Sequence, residues 1–134
     1  MLIVTIVGVL VAIALPTYNE YTLRARVAEA LTLADGARVS VGEAYAARGA
    51  FPNSNVEAGL PAATSISGDS VASVEIDPGG VIAVTLSSTM GGTPSMDGQT
   101  LLLTPTASDG SVTWVCDIGG DTTRYKYVPS ECRR

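Results

Sequence analysis

The sequence contains no histidine. That removes the commonest general base and the commonest metal-ligating side chain. Cysteine is limited to Cys116 and Cys132, with neither a CxxC pair nor a cysteine–histidine cluster, so no zinc-site spacing exists. Basic residues are scarce: eight Lys and Arg stand against thirteen Asp and Glu, for a formal net charge of −5. A protein that engages nucleic acid over its whole surface needs a basic surplus to release phosphate counterions. Only a local basic patch is left open here. No Asn-x-Ser/Thr triplet occurs, which excludes N-glycosylation through that motif. Without histidine no nucleophile–base pair of the usual kind can be built, and the carboxylates are scattered rather than paired. The expectation is a protein that is not an enzyme, holds no cofactor or metal and takes no small-molecule substrate.

Charge is also absent from one whole stretch. From Met1 to Asn19 there is no charged side chain, and Glu20 is the first. Hydrophobic residues make up 46% of the 134 residues, and this arm concentrates the excess. The apolar run MLIVTIVGVLVAIAL ends at Pro16. It is shorter than the roughly 20 apolar residues a membrane span needs. It also lacks the basic flank and cleavage site of a secretory signal. It reads as the remainder of a longer hydrophobic segment. Its β-branched residues favour a strand in water, but in lipid only a helix satisfies a single segment's backbone.

Gly8 lowers helix propensity by about 1 kcal/mol, and Pro16 removes a backbone donor and crowds the preceding turn. Two readings of the stretch Gly8, Val9, Val11, Pro16 stand side by side. One is a kinked helix with nothing built on the kink. The other is a helix that opens under strain.

After Pro16 the pattern turns amphipathic. Val27, Leu31, Ala34, Val41 and Tyr45 fall near helical spacing, with most charges off that face. Gly49 is a stop signal and Pro52 follows. One helix to about Arg48 would be on the order of 70 Å long. No head of this size can cover it, so its first half must be buried in lipid or in other copies of the chain. The chain therefore divides into a protruding hydrophobic helix, 1–19, and a globular head, 20–134.

Within the head the expected order is an amphipathic helix over 20–48, a loop over 49–70, a sheet over 71–116 and a disulfide loop over 116–132. Strands are expected at Val71–Ile76, Val81–Leu86, Thr100–Thr106 and Val112–Cys116, separated by turn sequences such as Asp77-Pro78-Gly79-Gly80 and Asp109-Gly110. Pro105 suggests an edge or a bulge. Trp114 shares a face with Val112 and Cys116 and is expected in the core. The fold class is α+β: a long N-terminal helix whose second half packs on a four-stranded antiparallel sheet. The isolated cysteine pair points to a disulfide in an oxidising compartment. Closing a loop of about 15 residues stabilises the head by roughly 3 kcal/mol.

Two stretches carry a family likeness. IALPTYNEYTLRARVAEAL, Ile13 to Leu31, closely resembles the post-membrane part of type IV pilins, with its IALPxYxxYxxRxxVxEA pattern. The ending WVCDIGGDTTRYKYVPSEC is similar to that family's C-terminal disulfide-bounded region, which often closes on a KYLPxxC-like run. The resemblance implies a structural subunit of a type IV pilus, of the major pilin type. Laid on the pattern, Met1 falls just after the family's conserved glutamate, so the chain is expected to be N-terminally truncated relative to the family.

The expected partners are other copies in a helical homopolymer, the inner membrane before assembly, and the pilus assembly machinery. The expected location is an extracellular pilus fed from an inner-membrane pool. Adhesion, twitching motility or DNA uptake are the implied roles. The alternative is a minor or tip pilin, or a type II secretion pseudopilin, with a binding role; pseudopilins usually lack the disulfide. Arg124, Tyr125, Lys126, Tyr127, Arg133 and Arg134 form a basic–aromatic cluster as candidate surface contacts for DNA, phage or a host surface. A plain solvated surface is the other reading of the same residues.

Overall fold

The computed structural model describes residues 2–134, with side chains described for 3–9 and 19–134. Of the Gly8–Pro16 stretch, the side chains of Val11 and Pro16 lie outside the described residues. Helix α1, Leu2–Arg48, runs without interruption for 47 residues. It ends at Gly49, whose φ of 74° is left-handed and whose amide donates to the Tyr45 carbonyl at 2.7 Å. A residue without Cβ adopts that conformation at no steric cost. Tyr45 then stacks on Phe51, with ring centroids 4.5 Å apart, and fixes the chain reversal.

Four strands follow: β1 Val71–Asp77, β2 Val81–Leu86, β3 Thr100–Ser108 and β4 Ser111–Asp117. They form one antiparallel sheet in sequential order. Ser108 pairs with Ser111 across the two-residue Asp109-Gly110 turn. Counting the ladder from that turn, Thr106 and Thr113 exchange backbone bonds, and Pro105 does not donate toward β4. Its nitrogen faces the side where β2 pairing ended at Leu103. The proline therefore sits on a local edge, where no ladder bond is lost.

The sheet's inner face is built by alternation. Ile82, Val84 and Leu86 of β2, and Leu101 and Leu103 of β3, are all buried. In β1 strict alternation fails. Val71 and Val74, three apart, both face inward, because a bulge shifts the register between Val71 and Ser73.

Helix α1 packs on this face through Leu23, Val27, Ala30, Ala34, Ala37 and Val41, spaced in steps of four and three. Leu31 and Tyr45, expected on this stripe, lie at its border, half-buried. Leu23, Ala30 and Ala37 take the buried positions. Alanines at the contact let the helix axis come close to the sheet. Trp114 is half-buried against the core, with the Arg38 guanidinium 6.0 Å from its ring centroid.

The segment between Gly49 and Ser70 holds one short 3-10 turn, Ala63–Ser65. It is pinned by Asn55. The Asn55 amide donates to the Pro61 carbonyl at 2.9 Å and the Val74 carbonyl at 3.0 Å, while its oxygen accepts from the Ile76 amide at 2.6 Å. The Val74 carbonyl and the Ile76 amide are groups of edge strand β1, and one side chain satisfies them as a neighbouring strand would. Asn55 is itself buried. Asn55→Leu strands the Val74 and Ile76 groups, each costing about 1–3 kcal/mol. A loss of about 2–4 kcal/mol in urea unfolding of the head is expected. A change under about 0.5 kcal/mol would show that the edge needs no such partner.

Candidate functional site: the arm and its junction with the head

The arm presents an uncovered apolar surface. Ile3 and Val4 are 78% and 75% exposed, and Ile6, Val7 and Val9 are also open to solvent. None of these side chains belongs to the core of the head. Among the described residues, which leave out the side chains of 10–18, no helix is long and apolar enough to cross a membrane.

Polar anchoring begins where the arm meets the head. Three segments converge there: α1 from Glu20 to Arg26, the loop at 88–98, and the C-terminal segment beyond Asp117. Arg26 donates one Nη to the carbonyls of Thr89 and Met90, both at 3.1 Å. Arg24 Nε donates to the Lys126 carbonyl at 2.7 Å. Lys126 Nζ lies 3.9 Å from Glu20 and 5.1 Å from the Tyr127 ring centroid. The loop packs Met90 and Met96 into the core. Its Gly92, at φ 99°, comes so close to α1 that a Cβ there would stand 2.8 Å from Leu23 Cδ1. No side chain fits that position without displacing Leu23.

The C-terminal segment carries little regular structure. Thr122–Tyr127 and Ser130–Cys132 are 3-10 turns. Asp121 caps the first through the Thr123 amide at 3.0 Å and pairs with Arg124. Arg124 Nε also donates to the Ser95 carbonyl at 2.9 Å. Tyr127 hydroxyl donates to the Thr93 carbonyl and accepts from the Thr93 amide, at 3.1 and 3.0 Å. The Cys116–Cys132 disulfide, with Cα atoms 4.5 Å apart, ties the end of the segment to β4. Both sulfurs' residues are buried.

The basic–aromatic cluster is therefore divided by the fold. Tyr127 is 3% exposed and offers no stacking face, because its ring belongs to the core and its hydroxyl to Thr93. Tyr125 is half-buried against the core, and Arg124 is engaged with Asp121 and Ser95. Lys126, Arg133 and Arg134 remain exposed. Gly8 and Val9 lie within the continuous helix, with Val9 exposed.

The pilin family model, described as a bacterial filament protein, matches residues 23–133. The chain belongs to the pilin family. This pilin is 40% identical to the fimbrial protein EcpC of Eikenella corrodens, over 99% of the chain and 85% of that protein. It is 36% identical to the type IV major pilin PilE of Neisseria gonorrhoeae and 37% identical to a fimbrial protein of Neisseria meningitidis serogroup A. Both alignments cover 99% of the chain and 89% of the relative. The protein is a structural subunit of a type IV pilus, and pilins assemble into filaments of like subunits outside the cell.

Replacing the disulfide in a Cys116→Ser/Cys132→Ser double variant should lower head stability by roughly 3 kcal/mol, the chain-entropy value for a loop of this length. Urea unfolding with and without reductant measures it. An unchanged midpoint would mean that the Tyr127, Arg24 and Arg124 bonds hold the segment unaided.

Proposed function

We propose that this pilin is the major subunit of its filament and that residues 1–19 are the assembly element. The observation that supports this reading is the division of α1. One half is buried by the sheet, and the other half carries exposed Ile3, Val4, Ile6, Val7 and Val9 with no cover from its own head. Such a surface stays in water only at a cost of about 25 cal/mol per Å². Before assembly the arm rests in the inner membrane. On assembly it leaves lipid and packs against neighbouring arms. Lipid tails are as apolar as the arms, so close packing and register, rather than burial from water, select the filament.

Extraction is the task of the assembly machinery. The heads form the outer shell, where adhesion, motility and contact with DNA, phage or host surfaces take place. The disulfide favours a pilin over a secretion pseudopilin.

Within the filament the arm opens between Gly8 and Pro16. Pro16 has no N–H for the carbonyl of residue 12, and glycine at position 8 makes the backbone permissive. In a bilayer each unpaired backbone group costs several kcal/mol, so helix persists there. Between packed arms, neighbouring polar groups take up those bonds. Opening also lengthens the arm, because an extended residue spans about 3.3 Å against 1.5 Å in helix.

Filaments sheared from the cell surface test the account, by mass spectrometry and by electron cryomicroscopy. This chain should dominate the filament mass, with arms bundled at the axis and the i to i−4 bonds interrupted from Val9 to Ala12. A trace abundance would make the chain a minor pilin. An unbroken helix through Val9 to Ala12 would refute the opening.

A further inference from the structure

At the foot of the head, Arg24 and Arg133 line one surface groove of about 290 Å³, together with Tyr127, Val128 and Pro129. Both guanidinium groups are held in the same way. Arg24 donates its Nε to the Lys126 carbonyl at 2.7 Å, and Arg133 donates its Nε to the Val128 carbonyl at 3.2 Å. Each is thereby fixed by its inner nitrogen. Among the described residues, neither terminal Nη pair makes a hydrogen bond or an ion pair. Two oriented guanidinium forks, each with free donors, suit the oxygens of one phosphate group. The nearby acid Glu20 faces Lys126 rather than either arginine. Of the segment's other cations, Arg124 is taken by Asp121 and Lys126 by Glu20.

The height of this groove selects the source of the phosphate. Uncharged sequence ends at Asn19, and Arg24 follows five residues later, about 7.5 Å along the helix. The headgroup layer on each side of a bilayer is roughly 5–8 Å thick. With the arm inserted, Arg24 and Arg133 stand at the level of lipid phosphates. We infer that this groove is a phospholipid-headgroup site, which takes the phosphodiester of an anionic lipid and holds the stored subunit at a fixed depth and orientation. The inference rests on the reading that the arm sits in a bilayer before assembly. Nucleic acid is the less fitting occupant, because the groove stands at the foot of the head beside the uncharged arm, where a bilayer brings phosphate groups within reach and a duplex has no such anchor.

Flotation of the full chain with vesicles tests it. One set of vesicles is pure phosphatidylcholine, and the other contains phosphatidylglycerol. Both sets should carry the protein, with affinity higher on phosphatidylglycerol by roughly thirtyfold, the share of two basic groups at an anionic surface. Arg24→Gln/Arg133→Gln should still float on phosphatidylcholine but lose the preference. Arg133→Gln alone, which leaves the tie between helix and loop intact, should lose part of it. Arg38→Gln/Arg48→Gln removes the same charge about 21 and 36 Å further along the helix and should keep the preference.

Failure to float on either vesicle would overturn the membrane reading and this inference with it. Equal flotation on both would overturn the headgroup site alone. Equal loss in the Arg38/Arg48 variant would reduce the effect to diffuse charge and overturn the site. Displacement by millimolar inorganic phosphate would make the groove a free-anion site. Arg24- and Arg133-dependent binding of a short DNA duplex, without a lipid preference, would reassign it to nucleic acid. Either result overturns the lipid assignment.

Discussion

Among the described residues, six buried side chains on one stripe of α1, from Leu23 to Val41, form the centre of the helical cover on the sheet's inner face. The whole head depends on that contact. The strands supply Val, Ile and Leu; the helix supplies mostly alanine and valine, so the two surfaces approach closely and leave little room for error. Larger residues at Ala30, Ala34 or Ala37 would push the helix off, because packed interiors have no spare volume. The stripe uses only the second half of a 47-residue helix. The first half has the same backbone and no sheet to meet. A single element thus divides into a stripe covered by its own sheet and an arm whose described side chains, 3–9, stay exposed.

The junction between these halves is where the polar bonds gather. Arg24 and Arg26 reach backbone carbonyls in two separate loops, and Tyr127 bridges one loop to the other. These contacts are made by charged or buried donors to carbonyls, which are among the stronger hydrogen bonds. The arm joins the head at this point. The disulfide sits behind it and returns the C-terminal segment to β4. Irregular chain beside edge strand β4 is thereby held by side chains and the disulfide.

Much of this was legible in the sequence, for identifiable reasons. Strand limits came within a residue or two because Asp77-Pro78-Gly79-Gly80 and Asp109-Gly110 are turns on any backbone. The helix end followed from Gly49. The stripe on α1 was only half legible. Val27, Ala34 and Val41 declared themselves, but Leu31 and Tyr45 drew the expected face to one side of the buried stripe, away from Leu23, Ala30 and Ala37.

Asn55 was invisible because its partners lie 19 and 21 residues away and are backbone groups. Tyr127 read as a surface aromatic because its neighbours Arg124 and Lys126 are charged; its burial comes from Thr93, which only the folded loop brings near. The arm was legible as uncovered surface from the absence of charge alone.

The central claim is that the head is complete without the arm, and that the arm serves only contacts beyond the chain. A chain beginning at Glu20 tests it most directly, by sedimentation and thermal unfolding in detergent-free buffer. It should be a soluble monomer, with the disulfide formed and one cooperative transition. A chain that fails to fold would show that residues 1–19 belong to the head. One that folds and still forms long filaments would show that the arm is not the assembly element.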